Sequence, residues 1–413
     1  MHLLILDDEL GMSTYIGMVA RDRGWTVETS GTSGEFQAHF RTRAPDAIVL
    51  DLQLGGSSDG VEQLRFLNRQ GFTGSIALIS GFDARVLASA RQVGESLGLA
   101  VIATLTKPIR VARIREVLEA IEQSLGQTAS SASVPDALEN PADSDGQFSP
   151  AAVMQAIEGG EMELHLQPIL SSATRVVTRL EALLRWRHPK LGLVAPDRFV
   201  RIAEEDEAVI DRLTMWVFET AVWQHARLSA MGCPIPISVN ISGVNLHGLD
   251  FPDRLVQLIN ASGIPIDGIC LEVTESVAMG NSGAMIDILT RLRLKGFQLA
   301  MDDFGIGFSS LKALRQMPFS ELKIDKSFVG DALGSADSFA IVKSVIELAR
   351  SIGLETVAEG VETEPTATLL TQLGATGLQG YYFSRPLPFV DMLDWVQQRR
   401  EPANDAQSVI RFR

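Results

Sequence analysis

The polar side chains of this 413-residue chain that could do chemistry, most of them acidic, fall in two groups, each at the ends of short apolar runs. In the first group, Asp7 and Asp8 follow the run 3–6, Asp51 follows 47–50, Ser80 follows 76–79, and Lys107 stands shortly after 100–103. Three crowded carboxylates repel one another, so they either shift in pKa or hold a divalent cation. Oxygen ligands alone suit Mg²⁺. Asp51 is then left as a nucleophile towards a phosphoryl group, with Ser80 and Lys107 placed to hold the phosphoryl oxygens. The second group comprises Glu181, Asn240, Glu272, Glu275, Asp302, Asp303, Lys323, Glu359, Glu362 and Gln379. So many carboxylates gathered at one rim with a single lysine would be badly destabilising without cations. None of the chain's six histidines lies at these strand ends except His165, near the first of them. Oxygen ligation therefore points to Mg²⁺ or Mn²⁺ rather than zinc.

Two kinds of scaffold are needed to bring such residues together. Over 1–125, fully apolar runs alternate with helical patterns, which fits strands buried on both faces of a parallel sheet covered by helices. In open α/β sheets ligands gather at the carboxyl ends of the strands, where this first group lies. Residues 126–147, rich in Ser, Ala, Asp and Pro, read as a linker. Residues 148–400 again alternate strands and helices, over a length that suits an eight-stranded α/β barrel of about 250 residues. Strand candidates are LHLQPIL, RLEALLRW, PISVNIS, ICLEVTES, FQLAMDDFG, ELKIDKSF, ETVAEGVE and GLQGYYFS, with helical segments at 199–231 and 339–351 among those between them. Within these strings Ser238 and Asn240 share one face, as do Lys323 and Asp325. This period of two turns polar groups into the barrel and aliphatics towards the helices. The end of the chain, 401–413, reads as a frayed tail. The expected architecture is thus α/β throughout, a doubly wound parallel sheet followed by a (β/α)8 TIM-like barrel.

The composition narrows the functional classes. At 46% hydrophobic and 21% charged residues the chain has ample material for two cores. Its formal net charge of −15 argues against binding nucleic acid or an anionic membrane surface. Two cysteines, Cys233 and Cys270, cannot build a disulfide scaffold and read as buried small hydrophobes. With no signal segment and no apolar stretch of about 20 residues, the expected compartment is the cytoplasm.

The strings also carry two family resemblances. Residues 1–125, with Asp7-Asp8, Asp51, Ser80 and Lys107-Pro108, resemble the receiver domain of two-component response regulators. That likeness implies a phosphoacceptor at Asp51, one Mg²⁺ held by Asp7, Asp8 and Asp51, phosphoryl contacts from Ser80 and Lys107, and a sensor histidine kinase or phosphotransfer protein as partner. Two features depart from the family pattern: Gly55 stands where proline is usual, and Thr104 where a switching aromatic is common. Residues 148–400, with QPI, EALLRW, SVNIS, LEVTES, DDFGIGFSSL, LKIDKSF, VAEGVE and LQGYYF in order, resemble the EAL-type phosphodiesterases of bacterial cyclic di-GMP signalling. The resemblance implies hydrolysis of cyclic di-GMP to linear pGpG by a two-metal mechanism, with Mg²⁺ or Mn²⁺ as the ions.

By the same likeness, Glu181, Asn240, Glu272 and Asp302 are ligands of one metal, and Asp302 and Asp303 serve the second. Glu359 belongs to the metal- and water-organising set, and Lys323 holds the attacking water or the developing charge. Arg185 contacts a substrate phosphate, with Gln167 and Glu362 also on the substrate side. Glu275 anchors the DDFGIGFSS loop, and Gln379 helps to position water. A homodimer is the expected assembly. GIGFSS lacks the third glycine of a dinucleotide fingerprint and reads as an active-site loop, while Trp216 and Trp223 read as packing or as part of a dimer face. The alternative reading is a catalytically inactive receptor for cyclic di-GMP that signals through protein contacts; the full ligand set with its lysine argues against it.

Overall fold

The computed structural model describes residues 1–54, 59–81, 84–125, 148–278, 283–305, 314, 317–401, 409–410 and 412. Residues 126–147 therefore lie outside the described residues, as do Gly55 and most of the GIGFSS string. The chain forms two compact units, the first built on residues up to Asp145 together with the short segments 289–294 and 317–318, the second on the rest of the chain from Gly146 onward.

The first unit is a five-stranded parallel sheet: β1 (His2–Leu6), β2 (Thr26–Ser30), β3 (Ala47–Asp51), β4 (Ser75–Ser80) and β5 (Ala100–Thr106), in the order β2-β1-β3-β4-β5. Every residue of β1, β3 and β4 is buried, as their unbroken apolar runs require. Leu3 and Ile5 pack with Ile16, Val117 and Ile121 of the helices Leu10–Asp22 and Val111–Leu125. Strand order reverses at β1, whose two neighbours are β2 and β3. The crevice at such a switch point is where this fold binds ligands, and it brings the end of β1 beside that of β3 through the pairing Leu6↔Leu50. β2 has no counterpart among the apolar runs of the sequence. As an edge strand it keeps Val27, Glu28 and Thr29 half-exposed, and its composition, TVETS, is correspondingly polar.

The second unit is a closed barrel. Its strands are β6 (Met162–Ser171), β7 (Val177–His188), β9 (Ile237–Asn240), β10 (Ile269–Thr274), β11 (Gln298–Phe304), β12 (Glu321–Ile324), β13 (Glu355–Ala358) and β14 (Gly377–Gln379), with β8 (Gly192–Val194) and β15 (Leu387–Pro388) as short additions. The ring runs β6-β14-β13-β12-β11-β10-β9-β7 and closes through β6–β7. Each of the eight strand candidates forms a strand, but the ring is not uniformly parallel: β6 runs antiparallel to both β7 and β14. The connection from β6 to β7 spans only residues 172–176, whereas a parallel pair needs a crossover of a dozen residues or more. The helical segment at 199–231 is divided into Val200–Glu204 and Glu207–Ala230, because Asp206 caps the second helix by accepting from the amides of Ala208 and Val209.

Both cysteines are buried. Trp216 packs against the core around Trp186 and Phe199, but Trp223 is 53% exposed and rests on Phe389. The end of the chain is not wholly frayed: Val409–Ile410 pairs with Arg400–Glu401, Ile410 is buried, and Phe412 meets Phe383 edge to face and Tyr382 at a tilt. Among the described residues no helix is long and apolar enough to cross a membrane.

Candidate active site

The barrel strands project inward at every second residue, and four of them meet at one ammonium group. Lys323 Nζ, on β12, lies 2.6 Å from Glu272 of β10, 2.6 Å from Glu359 beyond β13, 3.2 Å from Glu181 of β7 and 3.2 Å from Asp302 of β11. Its side chain is 1% exposed. Two like charges about 4 Å apart repel by about 4 kcal/mol even at an effective dielectric constant of about 20. One lysine cannot offset four such groups, and the titration behaviour follows. Glu272 is pushed up to about 8, first by burial and then by the charges of Glu181 and Asp302, against the pull of Lys323. Burial and the same neighbours drive Glu359 well above the carboxylate range. Burial would also raise Glu181, but Lys323, with hydrogen bonds from Gln379 and Asn240, outweighs it and holds this carboxyl low. Burial works against the charge on Lys323, yet the surrounding acids raise its pKa far above the usual lysine value.

Glu181 is oriented by amides. Gln379 Nε2 donates to its Oε2 at 2.5 Å and to Gln167 Oε1 at 3.1 Å, while Gln167 donates to the carbonyl of Ser384 at 2.9 Å. Asn240 Nδ2 reaches Glu181 Oε1 at 3.4 Å. The ligand atoms of Glu181, Glu272 and Asp302 lie within 4.8 Å of one another, and so do those of Asp302, Asp303 and Glu359; Asp302 belongs to both groups. Glu272 Oε1 is buried with no hydrogen-bond partner among the described residues. An orphaned carboxylate oxygen in an all-oxygen donor set fits a hard divalent cation.

Backbone geometry serves the same cluster. Asp303 adopts φ 55°, a left-handed conformation uncommon for a residue other than glycine. Its amide donates to Asp302 Oδ1 at 3.0 Å. Glu275 is buried and accepts from the amide of Gly305 at 2.8 Å, which ties down the backbone two residues after Asp303. Arg185 shares the face of Glu181, four residues further along β7, where its guanidinium donates to the carbonyl of Leu184. The sequence-predicted residues Glu181, Asn240, Glu272, Asp302, Asp303, Lys323, Glu359, Gln379 and Gln167 are thus brought together. Glu362 is not: it is exposed beyond the end of β13.

The first unit gathers its own smaller cluster. Lys107 Nζ lies 2.7 Å from Asp51 Oδ2, 3.2 Å from Asp7 Oδ2 and 3.1 Å from Glu9 Oε1. Burial lifts Asp51 to about 6 and raises Asp7 too, with Lys107 opposing both shifts. Asp8 is exposed, yet its carboxylate can join Asp7 and Asp51 around a cation. Ser80 is fully buried at the end of β4, and its carbonyl accepts from the amide of Lys107. Thr104 lies on β5, half-buried, in register with Leu78. Sequence reasoning missed Glu9, which the strand-end pattern did not single out. It also missed the buried pair Arg179–Glu321, although these residues stand two positions before Glu181 and Lys323 and so share their faces.

A closed barrel with one antiparallel strand and an oxygen-rich acid cluster around a buried lysine is the architecture of an α/β-barrel hydrolase whose donor set suits a divalent cation. The family model for the EAL domain matches residues 151–386, and the chain belongs to that family. It is 31% identical over 353 residues to the cyclic di-GMP phosphodiesterase RocR of Pseudomonas aeruginosa, which covers 85% of this chain and 86% of RocR. It is 39% identical over 247 residues to the cyclic di-GMP phosphodiesterase NbdA of the same organism, where it spans only 31% of the relative's length. Among solved structures, the PaMucR phosphodiesterase in complex with c-di-GMP superposes with a TM-score of 0.56 at 36% identity, over 58% of this chain and 97% of that one.

Proposed function

We propose that the chain is a cyclic di-GMP phosphodiesterase that opens its substrate to linear pGpG and is regulated by phosphorylation of Asp51. The observation that carries the hydrolytic reading is the Lys323 cluster, in which three carboxylates from three strands and a fourth just beyond β13 share one ammonium, and Glu272 Oε1 has no hydrogen-bond partner among the described residues. An inert binding pocket has no need of so costly a charge arrangement.

In this reading Glu181, Asn240, Glu272 and Asp302 hold one divalent ion, and Asp302, Asp303 and Glu359 hold another, either Mg²⁺ or Mn²⁺. Bound there, such ions supply Lewis-acid stabilisation and lower the pKa of water. The chain's own side chains do the rest. Lys323 stays charged and faces the oxygens on which negative charge accumulates. Gln379 and Gln167 fix the carboxylate plane of Glu181. Arg185, further towards the strand end, pairs with a substrate phosphate. Glu275 holds the loop that follows Asp303. Water adds its oxygen to one phosphorus, the bond from that phosphorus to the 3′ oxygen breaks, and the leaving oxygen takes a proton, so the product carries a 5′ phosphate. The role of Glu362 is confined to the substrate's guanine side, away from the acids.

The first unit is read as a receiver domain, with Asp51 as acceptor, one Mg²⁺ held by Asp7, Asp8 and Asp51, and Ser80 and Lys107 on the phosphoryl oxygens. Support comes from the β2-β1-β3-β4-β5 order and from the contact between Lys107 and Asp51. The match to RocR is longer than the chain from residue 146 to the end, so it reaches into this unit. A histidine kinase or phosphotransfer protein as donor, a homodimer, the boundaries 1–125, 126–147, 148–400 and 401–413, and a cytoplasmic setting belong to the same proposal. The deciding experiment incubates the protein with cyclic di-GMP and Mg²⁺ and resolves the products by chromatography. Accumulation of pGpG supports hydrolysis; tight binding without turnover supports the inactive receptor instead.

A further inference from the structure

One buried ion pair in the barrel lies outside the machinery just described. Arg179 Nη2 donates to both carboxylate oxygens of Glu321, and the two side chains are 13% and 6% exposed. Arg179 belongs to β7 and Glu321 to β12, which are not neighbours: β9, β10 and β11 separate them one way round the ring, and β6, β14 and β13 the other. The pair therefore crosses the barrel interior. Arg179 stands two residues before Glu181 and Glu321 two before Lys323, on the same inward faces. Directly above this crossing, Glu181 and Lys323 meet at 3.2 Å. The same two strands are thus joined twice, once below the acid cluster and once within it.

Desolvating two charges is costly, and an apolar pair of similar volume is often as stable or more so. The gain from an ion pair here is geometric: one guanidinium nitrogen shared between both carboxylate oxygens holds the two side chains at a fixed span. Room for the long arginine comes from small inward neighbours, Cys270 and Ser238, which stand in register on adjacent strands. Cys270 senses the charges of both Arg179 and Glu321, while its thiol is pushed up to about 12 by burial and stays inert. Arg179 Nε is buried without a hydrogen-bond partner among the described residues, so the guanidinium hangs on its contact with Glu321.

We propose that Arg179 and Glu321 form a strut across the barrel beneath the acid cluster and are positioning residues, holding the strand of Glu181 at a fixed span from the strand of Lys323. The strut matters most when cations enter. With a cation held by Glu181, the upper link would share that carboxylate with the metal, and the lower link would keep the two strands in place. This rests on the metal-site reading above.

The test compares wild type with Arg179→Met/Glu321→Met, Arg179→Lys and Glu181→Ala. Mn²⁺ binding is followed by electron paramagnetic resonance, folding by thermal melting, and kcat and KM are determined separately. For partners that orient metal ligands, losses of about 10-fold are expected. The Met pair should melt like wild type, bind Mn²⁺ about 10-fold more weakly and lose kcat about 10-fold, with KM changed less than about twofold. Arg179→Lys, which keeps a cation within reach of Glu321, should recover most of the Mn²⁺ affinity. A folded Met pair with wild-type Mn²⁺ affinity and kcat overturns the strut. If the Met pair does not fold, Glu321→Gln, equal in size but uncharged, decides by the same two measurements, and wild-type values there overturn it equally. Wild-type Mn²⁺ affinity in Glu181→Ala overturns the metal-site reading and the strut's purpose with it. Lost affinity in Glu181→Ala beside an unchanged Met pair overturns the strut alone.

Discussion

Lys107 and Lys323 each stand among carboxylates at the ends of parallel strands, yet they sit in different electrostatic regimes. Lys107 touches three acids and keeps 13% of its side chain exposed, with Glu9 and Asp8 open to solvent. Lys323 touches four and keeps 1%. In the first site water screens part of the repulsion, and the shortest contact of the lysine goes to Asp51, the proposed acceptor. In the second there is little water to screen anything, and the lysine is divided among several acids. The half-open site leaves a smaller imbalance, since solvent reaches Asp8 and Glu9. A buried one carries a deficit of positive charge that its own residues do not supply.

The largest expected effect is at Glu181. Glu181→Ala should lose turnover of cyclic di-GMP by about 10³-fold or more, as removal of a central electrostatic element does, while circular dichroism shows the fold intact. Near wild-type turnover would break the comparison, because the buried cluster would then not be the reaction centre. Next comes metal removal. In chelator, hydrolysis should stop; Mg²⁺ or Mn²⁺ should restore it, and Ca²⁺ should inhibit, since it takes more ligands at longer distances than a compact site offers. Equal rates with Ca²⁺ would count against it.

Glu275→Ala should have a smaller effect, about 10-fold in rate, because Glu275 supports the loop after Asp303 and not the reacting atoms. Raising Mg²⁺ should recover part of that loss; a deficit insensitive to Mg²⁺ would move Glu275 into the chemistry. For the half-open site, turnover with and without beryllofluoride should differ in wild type and not in Asp51→Ala. A response that persists in the variant removes Asp51 as the acceptor.

The smallest effect is on stability, and its sign follows from the raised carboxyls. A group that binds its proton more tightly in the folded state stabilises the fold below its unfolded pKa, and the contribution is lost as pH rises through the folded pKa. For Asp51 that window runs from 3.8 to about 6. For Glu272 it runs from 4.5 to about 8. In chelator the melting temperature should therefore fall with rising pH across both windows. Asp51→Asn should flatten the lower part of the fall and Glu272→Gln the upper part. Two variants with the same pH profile would erase the distinction between the sites.

Much of this was legible in the sequence because strand ends carry the chemistry in both units. The apolar runs located β1, β3, β4 and β5, and the alternation in SVNIS and LKID placed Asn240 and Lys323 on inward faces. What escaped has physical causes. β2 is an edge strand, so its polar residues produce no apolar run. The antiparallel setting of β6 depends on a five-residue connection that composition alone does not reveal. Glu362 ends the VAEGVE string in an exposed position beyond β13, where the strand alternation no longer says which way a side chain points. Arg179 and Glu321 lie at strand starts, where no functional residue was sought, and their pairing depends on the diameter of a closed ring.

The closure of that ring also governs how the protein can be made. β6 finds its second neighbour only at β14, and Gln379 reaches Glu181 across 198 positions of chain. On a ribosome delivering ~5–20 residues per second, that separation is a wait of roughly 10–40 s. Throughout it the β6–β7 hairpin presents an unpaired strand edge, the kind of surface that recruits other chains. Glu181 is synthesised early, but its orienting amide comes late. Every fragment ending before β14 is thus both catalytically unfinished and open at its edge, and the step that completes the active site is the same step that removes the nascent chain's risk of aggregation.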